Sequence, residues 1–344
     1  MDSIKPLIRK NILALSPYSS ARDEYSGTEG VFLDANENPF GNLNRYPDPS
    51  QYRLKQILSG QKKVAIENIL IGNGSDEIID LVQRVFGEPE EDAVIICPPT
   101  YGMYEVYANI NNLKIITIPL TDDFQLNKEE ILSQKAKILY LCSPNNPTGN
   151  ALENLEYIIQ NFDGIVFLDE AYIDFSEQPS LVEKIKKYSN LIVSQTFSKA
   201  RGLAAARIGV AYANAELISV LSKVKPPYNI SKLNQEAAIN VLADDTVFKN
   251  NIALIIDERE KLKTKLLALE FVTKIYPSNA NFLLVEMERS TEIFEALIEK
   301  QIITRNRNSV VKNTIRITVG TPKENELLLY TLQLIADAKS IIFR

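Results

Sequence analysis

Residues 137–149, KILYLCSPNNPTG, show the pattern that decides the fold, a short apolar run that leads into a polar cluster. The pattern recurs at residues 93–104 (AVIICPPTYGMY), 164–175 (GIVFLDEAYIDF) and 190–202 (NLIVSQTFSKARG). Runs this short, β-branched and nearly all apolar are typical of parallel strands covered on both faces. Ligands of open α/β sheets bind at the carboxyl ends of such strands, so the four polar clusters are predicted to share one crevice.

Two domains are predicted around this pattern. The runs at 114–118 and 207–212, with helical patterns at 75–86 and 151–162, complete a large α/β domain over residues 36–245, a mostly parallel sheet with helices on both faces. A long helical pattern at 246–270 leads into a smaller α+β domain, 246–344. Its predicted elements are strands at 281–287 and 314–320, a helix at 290–301 and a last helix from Lys323. Residues 1–35 have no sheet pattern and are expected to pack on the smaller domain.

Composition excludes several function classes. The 344 residues contain no histidine, which rules out Ser–His and Cys–His nucleophile pairs and every imidazole metal site. The net charge of −6 disfavours general nucleic-acid binding, which needs a basic surface. Two cysteines, each ending an apolar run, are too few for a disulfide framework or a thiolate metal site and are predicted to be buried. No metal site is expected.

The chain also lacks the patterns of membrane targeting. Its first twenty residues contain no uninterrupted apolar segment of the signal-peptide kind. No run approaches the ~18 apolar residues that a membrane helix needs. We therefore predict a soluble protein of a reducing compartment, the cytoplasm, with no membrane partner.

Four features carry candidate chemistry, each with a simpler alternative. GNGSDE (72–77) can form a turn and a Ser75-capped helix start that binds an anion, or can be a plain helix start. Asp169, at the end of an apolar run, can pair with a buried cation or form a structural salt bridge. Lys199 among small residues can form a Schiff base or be a solvated lysine. Arg316, within a strand, can bind a carboxylate or phosphate or form an ion pair. Together they are the set that pyridoxal phosphate (PLP) requires.

The chain resembles the fold-type I PLP-dependent aminotransferases, and most closely the family of histidinol-phosphate aminotransferases. The resemblance covers nearly the full length. It rests on blocks that occur in family order: LSPYSSARDEY, LDANENPFG, NRYPDP, GNGSDEIID, PPTYGMY, CSPNNPTG, FLDEAYIDF, TFSKARGLAAARIG and TIRITVGTPKENE.

The resemblance implies roles for individual residues. Lys199 would hold PLP as a Schiff base, Asp169 would pair with the pyridine nitrogen, and Tyr172 and Asn146 would donate to the ring phenolate oxygen. Tyr101 would stack on the ring. The residues implied for the phosphate are Gly74, Ser75, Asp76, Thr196, Ser198 and Arg207, joined by Tyr46 from the partner subunit of a homodimer. Those implied for the substrate are Tyr18, Asn36, Arg305 and Arg316, although Arg307, two residues from Arg305, leaves open which of the two contacts substrate.

The implied reaction is transamination of L-histidinol phosphate with 2-oxoglutarate, giving imidazole acetol phosphate and L-glutamate with ping-pong kinetics. Lys199, Asp169 and Tyr172 are the expected catalytic residues. An aromatic amino acid aminotransferase and an O-phosphothreonine decarboxylase of the same fold remain as alternatives. A PLP-binding regulatory module is an alternative of another class; it would carry an appended DNA-binding domain, for which 344 residues are expected to leave no room.

Overall fold

The computed structural model describes residues 4–17 and 30–342. A seven-stranded sheet is built from β1 (Ile69–Asn73), β2 (Ala93–Ile96), β3 (Lys114–Thr117), β4 (Ile138–Cys142), β5 (Ile165–Asp169), β6 (Leu191–Thr196) and β7 (Ile208–Ala213). A four-stranded antiparallel sheet is built from β8 (Val272–Ile275), β9 (Phe282–Met287), β10 (Arg305–Asn306) and β11 (Thr314–Thr318).

Helices pack around both sheets. In the described residues they are α1 (Lys10–Leu13), α2 (Tyr52–Lys62), α3 (Gly74–Phe86), α4 (Met103–Ile110), α5 (Lys128–Ser133), α6 (Leu155–Asn161), α7 (Ala215–Val224), α8 (Lys232–Leu242), α9 (Asp245–Leu267), α10 (Ser290–Glu299) and α11 (Pro322–Ile342). The large sheet spans residues 69–213 and the small one 272–318, and the predicted boundary at 245–246 falls at the start of α9.

The large sheet has the order β1-β7-β6-β5-β4-β2-β3, and β3, β2, β4, β5 and β6 run parallel. All five residues of β4, and likewise of β5, are buried. Leu139 and Leu141 point into one core while Ile138 and Tyr140 point into another, so each face of the sheet is covered. This double covering explains why these strands lack apolar–polar alternation.

Two features of this sheet differ from prediction. β7 was expected to be parallel, but it runs antiparallel to both β6 and β1. Only residues 197–207 connect β6 to β7, which is short for the crossover that a parallel pair needs. A strand buried on both faces is apolar in either direction, so composition did not reveal this. β1 was missed because its apolar run, Ile69–Ile71, is followed at once by Gly72.

The smaller domain has a separate core. It contains Leu262 and Leu266 of α9, Leu283 and Val285 of β9, and Ile317 of β11. A further small cluster lies between the two sheets, where Tyr172 meets Phe282 edge-on with 5.2 Å between ring centroids. This contact positions β9 and β11 beside the carboxyl ends of the large-sheet strands.

The N-terminal segment packs differently from expectation. Ile4, Leu7, Ile8 and Ile12 are buried in the core formed by α3 and α7 of the large domain. The amide of Arg9 donates to the carbonyl of Val85 at 3.0 Å. The prediction that residues 1–35 pack on the smaller domain is therefore wrong for residues 4–12. Apolar residues in a short segment can be buried by either domain, and the segment itself does not specify which one.

No helix in the ranges that the structure describes is long and apolar enough to cross a membrane.

Candidate active site

A cavity of about 630 Å³ lies where the polar clusters after β2, β4, β5 and β6 converge, beside the small sheet. It contains most of the residues that the sequence singled out: Ser75, Asp76, Tyr101, Asn146, Asp169, Tyr172, Thr196, Ser198, Lys199, Arg207, Arg305 and Arg316. The fold therefore brings the four polar clusters together at one crevice, as the sequence predicts.

Asp169 is the last residue of β5 and is only 3 % exposed. Burial raises the pKa of its carboxyl group from 3.8 to about 6, although two hydrogen bonds counteract this effect. The Tyr104 hydroxyl donates to Oδ2 at 2.8 Å, and the amide of Ala171 donates to Oδ1 at 3.1 Å. A carboxylate held in this way is suited to a cation brought into the cavity.

Lys199 lies three residues beyond the end of β6, in the connection to β7. Its pKa is lowered, mainly by burial and next by the charge of Arg316, while Asp169 acts in the opposite direction. Its Nζ is 5.6 Å from the centroid of the Tyr172 ring, which is itself buried. A lowered pKa makes the neutral amine, the nucleophilic form, more available.

The start of α3 forms one anion-binding end of the cavity. Gly74 has a φ of +75°, and a Cβ there would lie 2.5 Å from Nη2 of Arg207. The same guanidinium donates to Asp76 at 3.2 Å, and Tyr101 donates to the other carboxylate oxygen at 3.0 Å. Ser75 Oγ is buried and has no hydrogen-bond partner among the described residues. A free hydroxyl at the positive end of a 13-residue helix suits a phosphate group.

The small sheet provides the opposite end. Arg316 on β11 donates to Oδ1 of Asn146 and lies 5.2 Å from the ring centroid of Phe282. Arg305 on β10 is directly opposite Arg316 in the antiparallel pair, so both side chains face the same side. This end of the cavity is therefore positively charged.

Two predicted residues lie elsewhere. Asn36 and Tyr46 line a separate cleft, where Tyr46 stacks on Tyr228 at 4.5 Å between centroids. Tyr18 lies outside the described residues. The structure thus does not bring Asn36 or Tyr46 to the Lys199 cavity of the same chain.

Sequence reasoning missed two contributors. Tyr104 donates a hydrogen bond to Asp169, and no local pattern in the sequence indicates this contact between residues 65 positions apart. Cys142 was interpreted only as a buried apolar residue; it is buried and also lines the cavity. Arg307, left undecided against Arg305, lines the cavity too.

The residues present fit PLP. Ser75 and the start of α3 can receive its phosphate, Asp169 can receive the protonated ring nitrogen, and Lys199 is available to its aldehyde. The described residues contain no group of three His, Cys, Asp or Glu side chains placed to hold a metal ion.

Comparison with known proteins agrees with this chemistry. The sequence profile of aminotransferase class I and II matches residues 24–332, and the chain belongs to this family. The curated histidinol-phosphate aminotransferase of Flavobacterium johnsoniae is 48% identical, over 96% of this chain and 98% of that protein. The corresponding protein of Cytophaga hutchinsonii is 47% identical, over 96% and 99%. The resemblance to histidinol-phosphate aminotransferases predicted from the sequence is therefore confirmed.

Solved structures agree at the level of the fold. Histidinol-phosphate aminotransferase from Sinorhizobium meliloti, in complex with pyridoxal-5'-phosphate, matches with a TM-score of 0.80 and 24% identity, covering 88% of this chain and 90% of that one. The predicted fold class, a large mostly parallel sheet domain with a smaller α+β domain, is confirmed.

Proposed function

We propose that this protein is a PLP-dependent aminotransferase that transfers the amino group of L-histidinol phosphate to 2-oxoglutarate, giving imidazole acetol phosphate and L-glutamate in histidine biosynthesis. One observation carries the proposal. A single cavity holds a buried carboxylate and a lysine of lowered pKa between two anion-binding ends. The curated relatives at 47–48% identity bear the name of this activity.

The cofactor, when bound, supplies an electron sink for the electron pair that remains when the substrate Cα loses its proton. Asp169 holds a proton on the ring nitrogen by its adjacent negative charge, which strengthens that sink. Tyr172 and Asn146 both line the cavity, and each carries a donor that could hydrogen-bond the ring phenolate oxygen.

Lys199 has two tasks in this proposal. Its amine is the group that would hold the cofactor through the aldehyde. When free, its neutral amine would take the proton from the substrate Cα and pass it on. Burial and the charge of Arg316 both favour the neutral amine that this proton transfer requires.

The arginine end selects substrates by their anionic groups. The amino donor carries a phosphate ester and no carboxylate, whereas glutamate carries two carboxylates. Forked guanidinium groups bind either anion, so Arg305 and Arg316 can serve both half-reactions. Ser75 and Arg207, at the other end, would hold the phosphate of the cofactor.

A substrate panel tests the assignment. The purified holoenzyme, mixed with one amine at a time, should convert its cofactor to the amino form most efficiently with L-histidinol phosphate. A higher kcat/KM with an aromatic amino acid would establish the first alternative instead. Release of CO₂ from O-phosphothreonine would establish the decarboxylase, and cofactor binding without any half-reaction would establish the regulatory module.

We further propose a homodimer in which Tyr46 reaches the phosphate in the neighbouring site. Val31, Leu33 and Phe40 are each more than 80 % exposed, an unusual density of apolar surface that a second copy of the chain can cover. Tyr46 lies in the same exposed stretch and away from the Lys199 cavity of its own chain. The cytoplasm is the compartment that we propose, and the two buried free thiols suit it.

A further inference from the structure

Three arginines, rather than the expected two, converge on the substrate end of the cavity. Arg305 lies opposite Arg316 in the antiparallel pair of β10 and β11. The amide of Arg307 donates to the carbonyl of Thr314 at 3.0 Å, which continues the pairing beyond β10. Since side chains alternate along a strand, Arg305, Arg307 and Arg316 face the same side, and all three line the cavity.

The backbone at Arg307 is fixed by its own turn. The amides of Val310 and Val311 both donate to the carbonyl of Arg307 at 2.8 Å. Across the same loop, the amide of Asn313 donates to Oδ1 of Asn308 at 2.7 Å. The Arg307 side chain therefore projects toward the cavity from a backbone held in place by hydrogen bonds.

The three charges have no carboxylate partner within the described ranges, where every ion pair involves other residues. The pKa of Arg307 is lowered by burial, then by the charges of Arg316 and Arg305. Its Nε and that of Arg316 are buried without a hydrogen-bond partner in the part of the chain described. The carboxylates of the cavity are engaged elsewhere, Asp76 with Arg207 and Asp169 with Tyr104.

We propose that Arg307 is a third ligand for the substrate anion and gives the site its preference for a phosphate dianion over a single carboxylate. The identity of the phosphate-bearing donor rests on the proposed function. A phosphate monoester carries a charge of about −1.5 to −2 and three acceptor oxygens. One forked guanidinium satisfies a carboxylate, whereas three can each meet an oxygen of the phosphate.

The test compares the KM values of two substrates in the Arg307→Gln holoenzyme. Losing a charge-assisted hydrogen bond should raise the KM for L-histidinol phosphate roughly 10- to 100-fold. The KM for glutamate should change less than about threefold, and kcat with the donor should change little, because the contact is present in both ground and transition states. Lys312→Gln is the matched control, since Lys312 is an exposed cation of the same loop outside the cavity lining.

Inorganic phosphate provides a direct probe of the anion site. Competing with glutamate, it should bind the Arg307→Gln holoenzyme about tenfold more weakly than the wild type or Lys312→Gln. Equal changes in both KM values, equal effects of the two Gln variants, or unchanged phosphate binding would overturn the proposal.

A second variant keeps the proposal testable should Arg307→Gln fail to fold. Arg307→Lys keeps the charge but loses the planar fork, so both the KM for the phosphate donor and the phosphate inhibition constant should rise severalfold. Wild-type values for both would overturn the proposal. If the wild-type enzyme prefers an aromatic amino acid, the proposed donor is wrong, yet the phosphate titration still decides the role of Arg307.

Discussion

The hydroxyl of Tyr104 donates a 2.8 Å hydrogen bond to Oδ2 of Asp169, and both side chains are buried. The ring of Tyr104 stacks on that of Tyr140 at 4.7 Å between centroids, which holds the hydroxyl in place. Burial raises the pKa of Asp169, and this hydrogen bond is the leading effect that lowers it. Tyr104 is therefore a positioning residue that keeps Asp169 ionised.

Tyr104→Phe should raise the pKa of Asp169 by on the order of one unit, because a hydrogen bond to the charged form is lost. We expect kcat near neutral pH to fall about tenfold and its acid limb to move to higher pH. The pH profile of kcat measures both. Tyr140→Phe is the control, since the Tyr140 hydroxyl donates to the carbonyl of Ile79 at 3.4 Å. Identical profiles for the two variants would contradict the assigned role.

Asp169→Asn should stabilise the cofactor-free protein in a pH-dependent way. The folded-state pKa of Asp169 is raised from 3.8 to about 6, so the folded protein binds this proton more tightly than the unfolded chain. The contribution of Asp169 to the free energy of unfolding therefore decreases as pH rises from about 4 to about 6 and stays low above that. The pKa shift corresponds to a destabilisation of the folded protein by about 3 kcal/mol at high pH. Asn removes this cost but also loses one hydrogen bond worth roughly 1 kcal/mol, so the net gain in the free energy of unfolding is smaller.

Denaturant unfolding at two pH values checks this prediction. The cofactor-free variant should be more stable than the wild type by roughly 2 kcal/mol at pH near 8, with this advantage absent near pH 4. In the holoenzyme the same substitution should lower kcat by on the order of a hundredfold, because ring protonation is no longer maintained. A pH-independent stability difference would mean that Asp169 is not the titrating group.

Lys199→Ala should abolish transamination and the absorption band of the bound aldehyde. Borohydride reduction of the wild-type holoenzyme, followed by peptide mapping, should place the cofactor on Lys199. Lys55 is the internal comparison, because burial lowers its pKa to about 8 while it lies outside the cavity lining. Label on Lys55 would show that a lowered pKa alone, rather than the Lys199 cavity, determines where the aldehyde bonds.

Gly74→Ala should weaken PLP binding at least tenfold and destabilise the fold by roughly 1–3 kcal/mol. The new Cβ would lie 2.5 Å from Nη2 of Arg207, and the φ of +75° suits glycine. Gly60→Ala is the control: nothing lies within 4 Å of its Cβ position, so alanine in α2 should stabilise by about 0.5–1 kcal/mol. Fluorescence titration with PLP and thermal unfolding measure the two effects. Unchanged affinity in Gly74→Ala would remove the start of α3 from the phosphate site.

Hybrid dimers test the placement of Tyr46. Tyr46→Ala and Lys199→Ala homodimers should each be severely impaired. Mixed after reversible dissociation, they should form dimers in which the intact Lys199 meets the partner's intact Tyr46, so that activity returns at one site of the hybrid. Absence of any recovery in verified hybrid dimers would show that Tyr46 does not act across the interface.

The polar clusters at the strand ends of the large sheet were predictable because each buried apolar run is followed directly by polar residues in the sequence. Asp169 and Lys199 each follow an apolar run closely, and each lines the cavity. The direction of β7 was not predictable, since burial on both faces removes any periodic signal. The packing of Ile4 and Ile8 on the large domain, and the choice between Arg305 and Arg307, depend on contacts between segments distant in sequence, which local patterns do not encode.

The arginines at the small-sheet end of the cavity stand on a sheet with its own apolar core, apart from the two cores that hold the strands of the large sheet. Substitutions in the smaller domain that leave Phe282 and Arg316 in place should therefore alter which donors are accepted with little effect on the cores of the large domain. Residues 272–318, which carry this small sheet, are where we expect substitutions to change donor preference most directly. The same modularity makes this stretch the natural target for a library that seeks transaminases of unnatural amines.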